Sequence, residues 1–326
     1  MVKAAVPAAL ALTLGSPAFA DHHEPAGALF VANKAEGSVS RIRLGDGREE
    51  RRAPACKAPH ELSLSPDGAH IAVGCYGGET IEILRSSDLE AVATIRLGEG
   101  ARPHGVVWHD NGRIYASAEG RKGIVVVEEP LSATPSVREI ASEAEGTHMI
   151  AVSTDGRVAW SADMGAGTVT RYDIAQGSRT GAQAVGREPE GIALAPDGRT
   201  LWVSVRGDDK LLALDPATLE IRREIGVGRF PLRVAISPDG TTVVTSNLRD
   251  GTVSLVDAES GEVQRTIRVS GAEDTAQVTL LFSPDGKRLY AAETQLSKVA
   301  EIDITIGEVV GRLAGGVGGD GLAIGE

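Results

Sequence analysis

The sequence predicts an all-β ring of seven four-stranded blades, a β-propeller. Three observations predict it: a Pro-Asp-Gly turn that recurs along the chain, a spacing of 42 to 46 residues between recurrences, and an incomplete repeat at each end. The clearest copy of the unit runs from Pro189 to Asp215. Ile192 to Leu194, Leu201 to Val205 and Leu211 to Leu214 are short apolar runs separated by turn residues, which reads as three strands of one antiparallel sheet.

In the turn Pro196, Asp197, Gly198 the proline pre-sets its backbone angle, the aspartate bonds nearby backbone, and the glycine takes the positive angle that closes a hairpin. The triplet returns at Pro66 to Gly68, Pro238 to Gly240 and Pro284 to Gly286, with looser forms at Asp110 to Gly112 and Thr154 to Gly156. Six residues before each turn lie His60, His104, His148, Glu190, Leu232 and Val278, at steps of 44, 44, 42, 42 and 46. A seventh start, at Asp320, lies 42 residues further on, and one strand follows it. At the other end, Ala28 to Asn33 and Ser38 to Leu44 are two strands with no inner strand before them. The two ends are therefore expected to complete one blade, with Leu322 to Ile324 beside Ala28 to Asn33, closing the ring and protecting its sheet edges.

The segments LFVANKAEGSVSRI near the start, Ser237 to Val263 and Ser283 to Asp303 resemble the YVTN-type β-propeller repeat proteins, including exported chains of the YncE-like kind. The resemblance covers nearly all of the chain after its first residues and implies a seven-bladed propeller. For activity it implies less, because such propellers are similar to lactonases, to the haem domain of cytochrome-type nitrite reductases and to binding scaffolds alike.

Residues 1–20 carry one early lysine, a short apolar core and small residues at Ala18 and Ala20, the pattern of a secretory signal with cleavage before Asp21. Its apolar run is broken by Pro7 and too short to span a bilayer. Residues 21–27 form a polar tail in which His23 would sit third from a free amine, a spacing able to wrap copper or nickel, although termini of this composition are usually disordered. Residues 28–326 are expected to be a single propeller. A net charge of −12 argues against nucleic acid, which wants a basic surface, and 3% aromatic residues leave few platforms for stacking bases. The signal leads to the expectation of a periplasmic or secreted protein, taken to be a monomer, and no later segment looks membrane-spanning.

Cys56 and Cys75, the two cysteines, approach each other when the first hairpin folds about Asp67 and Gly68; export favours a disulfide, with two thiols beside His60 available to a metal as the alternative. Trp108, Trp160 and Trp202 fall in inner strands and read as packing core. Glu128 to Ser142 departs most from the repeat and reads as an irregular outer strand with a surface loop, and Gly315 to Gly319 as a flexible lead into the closing strand.

Residues at the repeat start surround one mouth of the central channel. There the chain places Asp320, His60, His104, His148 and Glu190 in adjacent blades, with Leu232 and Val278 completing the circle. A single histidine in such a place usually only lines the channel. Three of the chain's seven histidines at one repeat position, followed by a glutamate, suit a divalent transition metal, Zn, Fe, Mn, Cu or Ni, bound by His60, His104, His148 and Glu190 with Asp320 as a fifth or supporting group. A second ring, at the ends of the second strands, reads Asn33, Cys75, Glu119, Asp163, Arg206, Asn247 and Glu293; from it Glu119 and Asp163 could orient ligand histidines, and Arg206 could hold an anion. No nucleophile elbow, dinucleotide fingerprint or C-x-x-C-H haem attachment is present. The expected function is metal or small-ligand binding, whose partners are a metal ion with a small molecule or a partner protein. A metal-dependent lactonase-like hydrolase and a metal-free interaction scaffold are the alternatives.

Overall fold

The computed structural model describes residues 27–325, together with Met1. The expected export signal and the tail with His22 and His23 lie outside the described residues, apart from their end residues Met1 and Gly27. Strands β1 to β28, numbered in chain order, form seven separate four-stranded antiparallel sheets among the described residues. Blade 1 is shared by the two ends: β28 (Gly319–Gly325) is its inner strand, followed outward by β1 (Ala28–Asn33), β2 (Ser38–Arg43) and β3 (Glu49–Pro54). Leu322 pairs with Val31 and Ile324 with Leu29, which is the closure the incomplete repeats required. Blades 2 to 7 follow in sequence, and their inner strands are β4 (Pro59–Leu64), β8 (Pro103–Trp108), β12 (Thr147–Val152), β16 (Pro189–Leu194), β20 (Pro231–Ile236) and β24 (Gln277–Phe282). Among the described residues no helix is long and apolar enough to cross a membrane.

The blades cohere through the apolar layers between them. Ile81 and Ile83 of blade 2 pack with Val106, Trp108 and Ile114 of blade 3, and Phe30 and Val39 of blade 1 pack with Leu62, Ile71 and Val73 of blade 2. Each such side chain, fully buried, contributes about 1.5–3 kcal/mol relative to exposure. All three tryptophans pack in the apolar layers as expected, but only Trp108 is on an inner strand; Trp160 and Trp202 lie on the second strands Val158–Asp163 and Leu201–Val205, and the Trp160 indole N–H donates to the Pro216 carbonyl at 2.9 Å. The turns work as their residues dictate: Asp67 accepts from the Ala69 N–H at 3.0 Å and the Ser65 hydroxyl at 2.5 Å, while Gly68 sits at φ +69°.

Two expectations change. The outer strand of blade 3 is regular, Ser136–Ala141 pairing residue for residue with Gly123–Glu128, and the irregularity is confined to the loop 129–135. The glycine-rich lead into β28 is tied down: the Gly316 N–H donates to Asn33 Oδ1 at 2.9 Å, and Lys34 N–H to the Gly318 carbonyl at 2.9 Å. A Cβ on Gly316 would meet Asn33 Cγ at 2.3 Å, so this contact needs a glycine. Cys56 and Cys75 form the expected disulfide, joining the entry to β4 with the end of the next strand, His70–Cys75.

The feature that builds the site is a one-residue bulge near the start of every inner strand. Pro59 pairs with Cys75 and Leu62 with Val73, so two residues of β4, His60 and Glu61, oppose one of its neighbour, Gly74, and the other six inner strands repeat the one-residue irregularity. A bulge re-aims side chains and takes backbone groups out of the ladder. Serine hydroxyls on neighbouring strands satisfy the displaced N–H groups: Ser117 accepts from Gly105 at 2.9 Å, Ser204 from Gly191 at 2.9 Å, and Ser246 from Arg233 at 3.0 Å.

Candidate metal centre

Because the bulges abolish strict alternation, two successive residues of an inner strand can reach the axis. The register positions are Asp320, His60, His104, His148, Glu190, Leu232 and Val278, and the positions after them are Gly321, Glu61, Gly105, Met149, Gly191, Arg233 and Thr279. The two sets complement each other. Where the register residue is Leu232 or Val278, the next one is polar; beside Asp320, His104 and Glu190 it is glycine.

The three imidazoles stack around the mouth, with ring centroids 3.9 Å apart for His60 and His104 and 3.6 Å for His104 and His148. His148 is engaged: Nδ1 donates to Glu119 at 2.7 Å, and Nε2 lies 3.6 Å from Glu190. Burial opposes a charge on His148, but the Glu119 hydrogen bond and the Glu190 carboxylate outweigh it and raise its pKa. Both carboxyl oxygens of Glu190 are taken, Oε1 by Arg233 at 2.5 Å and Oε2 by Arg206. Burial alone would raise its carboxyl; the His148 ring and Arg233 reverse this and hold it at about 2. Asp320 accepts from Lys34 at 2.7 Å and from the Thr279 hydroxyl at 3.2 Å.

His60 and His104 differ. His60 Nδ1 lies 3.3 Å from Asp320 Oδ2 but is not oriented to hydrogen-bond it, and neither ring nitrogen of His104 has a partner. Burial pushes His60 down to about 4 against the pull of Asp320, and pushes His104 well below the ordinary histidine value with help from the charge of His148. Both are therefore neutral imidazoles, the form that ligates metals.

Glu61, at the bulge position beside His60, supplies a carboxylate. His60, Glu61 and His104 each offer a ligand atom within 4.8 Å of the others, the one such group of three among the described residues. Glu61 Oε1 is held by Arg233 Nη2 at 2.9 Å, so Arg233 reaches across the axis and clamps a carboxylate of blade 2 and one of blade 5. On the solvent side Tyr76 presents its ring edge-on to both imidazoles, at 5.3 Å from His60 and 5.4 Å from His104. Its hydroxyl donates to Glu119 at 2.9 Å, and Arg102 stacks 4.4 Å over its ring.

All five expected residues thus sit on the axis; His60 and His104 have free ring nitrogens, while His148, Glu190 and Asp320 are engaged by other side chains. Sequence reasoning missed Glu61, Arg233, Lys34 and Tyr76. The second ring is also corrected. Strand pairing aligns Ala118 and Val205, not Glu119 and Arg206, with Cys75 and Asp163, so Lys34, Tyr76, Glu119 and Arg206 share the position that meets the inner ring. Asp163 orients no histidine; it accepts from Ser161, Thr168 and Thr170 inside its own blade.

A model of the YncE-like β-propeller family matches residues 198–311. No curated protein matches the chain. Among solved structures, a functionally unknown protein from Desulfotomaculum acetoxidans DSM 771 has a TM-score of 0.77 at 16% identity, over 92% of this chain and 99% of its own. Kuenenia stuttgartiensis hydrazine synthase has a TM-score of 0.68 at 16% identity, over 80% of this chain and 87% of the other. At such identity the likeness is one of fold. The matched segment covers about a third of the chain, and the register of its turns and the closed ring of seven blades agree with the fold of the YncE-like β-propellers, to which the chain is similar.

Proposed function

We propose that this YncE-like propeller is an exported metal-binding protein that holds one divalent transition metal at the channel mouth through His60, His104 and Glu61, with His148, Glu190 and Asp320 around them. One observation carries the reading: His60 Nδ1, His104 Nδ1 and His104 Nε2 are buried without partners, beside carboxylates that are all paired. An unsatisfied buried polar group costs about 1–3 kcal/mol, so keeping two such imidazoles in contact favours a ligand that uses them. Two neutral imidazoles and a carboxylate are a fitting donor set for Zn, Fe, Mn, Cu or Ni. A metal there would supply Lewis acidity, and the chain's own part is to fix the donors: Arg233 holds Glu61, and Tyr76 covers the ring pair. Export is supported by the leader-like residues 1–20 and by the disulfide, which needs an oxidising compartment.

Elemental analysis of protein dialysed against a divalent-metal mixture and then metal-free buffer tests the proposal. Wild type and Leu232→Ala should retain one ion per chain, while His104→Ala should retain little. No retained metal in wild type, or equal retention in His104→Ala, would overturn it.

A further inference from the structure

The carboxylates around His60 and His104 are matched before any metal arrives. Asp320 pairs with Lys34, Glu61 with Arg233, Glu190 with Arg233 and Arg206, and Glu119 with His148 and, at 3.9 Å, with Arg102. Four carboxylates therefore face the four cationic side chains of Lys34, Arg102, Arg206 and Arg233, with the His148 imidazole as a fifth basic partner. A divalent ion entering between His60, Glu61 and His104 adds two positive charges to a nearly neutral, buried cluster. Uncompensated charge in such a place costs several kcal/mol, and Arg233, with its side chain 5% exposed and wedged between two glutamates, cannot carry its charge out to water.

We infer that the site takes its divalent ion together with a small carboxylate ligand, so that the species held is a metal–carboxylate complex and not the bare ion. This rests on the metal reading above and names what accompanies the metal. The approach to the site agrees with it. Its solvent side is formed by Lys34, Tyr76 and Arg102, of which Lys34 is 36% and Arg102 50% exposed at the side chain. A lone divalent cation meets two like charges there, whereas a carboxylate-bound one brings negative charge that offsets what the ion adds to an already matched cluster. If Lys34 or Arg102 instead swung into solvent as the metal entered, uptake would not depend on an anion.

Titration of the metal-free, full-length mature protein with Co(II), at fixed ionic strength in a non-coordinating buffer, separates these outcomes. Acetate at tens of millimolar should tighten the apparent Co(II) affinity about tenfold, a coupling of ordinary size between two ligands. Neutral, isosteric acetamide should have no effect, and Arg102→Ala should shrink the acetate factor. Tight Co(II) binding that is indifferent to acetate, or weakened by it, overturns the inference and leaves the metal reading standing. No Co(II) uptake in either medium overturns both.

Discussion

At the ends of three second strands, Asn33, Asp163 and Asn247 are fully buried, and each is saturated by its own blade. Asn33 donates to Ser38 and Ser40 and accepts from Gly316, Asp163 accepts from three hydroxyls, and Asn247 donates to Thr252 and Ser254 while accepting from Thr245. On the axis, His60 and His104 are buried to nearly the same degree and have three ring nitrogens with no partner. The same price in desolvation is met in one region by local hydrogen bonds and in the other by nothing within the protein. Saturated groups hold the blade together, and the unpartnered ring nitrogens on the axis are the observation on which the metal proposal rests.

The largest effect should come from the residue that clamps the axis from within, Arg233. Arg233→Met leaves Glu61 and Glu190 buried without their shared partner, and breaking a buried ion pair from one side costs about 3–5 kcal/mol. Urea unfolding should show that loss as a lower midpoint with an unchanged slope. A variant as stable as wild type would mean that the clamp is not a structural element of the axis.

The imidazole pair should also be visible in the pH dependence of stability without metal. His60 titrates at about 4 in the fold because burial disfavours its charge, against roughly 6.5 in an unfolded chain. Between those values the unfolded chain binds more protons, so stability falls as pH drops from about 6.5 toward 4, by about 3 kcal/mol from His60. His104 is shifted in the same direction. The raised pKa of His148 works the other way: its contribution is complete below about 6.5 and fades as pH rises through its folded value. Unfolding midpoints measured from pH 7 to 4 should therefore decline, with a shallower decline in His60→Gln; an equal slope in the two proteins would contradict the neutral, desolvated state of His60.

How far the sequence revealed this arrangement follows from its two periodicities. The turn triplets fix the blade period, and the blade period alone puts His60, His104, His148, Glu190 and Asp320 at one mouth, however far apart they lie in the chain. Glu61 and Arg233 were hidden because strict strand alternation sends neighbours to opposite faces, and the bulge that overrides it is a backbone event with no residue signature in β4 or β20. One signal was available: polar Arg233 and Thr279 follow apolar Leu232 and Val278 at the axial position. The second ring is out of register at two places, because the blade 3 and blade 5 strands end at Ala118 and Val205, one residue before Glu119 and Arg206, and a polar residue at a strand end does not say on which side of the last pair it falls.

The disulfide sharpens the comparison, because it anchors the segment leading to His60 and the strand leading to Tyr76, and touches none of the saturated networks. Replacing both Cys56 and Cys75 by serine opens a loop with a sequence separation of 19 and should lower stability by about 3 kcal/mol. Native-state hydrogen exchange should locate the loosening at residues around Ala58 and Tyr76, with blades 4 and 6 little changed. Uniform loosening of all seven blades would show that the ring, and not the mouth, depends on the bridge.

The smallest effect is the most discriminating, because its sign differs between the regions. Asn247→Ala strands the Thr245, Thr252 and Ser254 hydroxyls in a buried site and should destabilise by about 1–3 kcal/mol. His104→Leu removes two ring nitrogens that have no partners and replaces them with apolar volume, so the metal-free protein should become more stable, by about 1 kcal/mol, while losing metal uptake. Thermal unfolding of both variants in the presence of a chelator measures the pair of signs. If His104→Leu destabilises as Asn247→Ala does, then His104 serves the fold, and its free nitrogens are not evidence of a site.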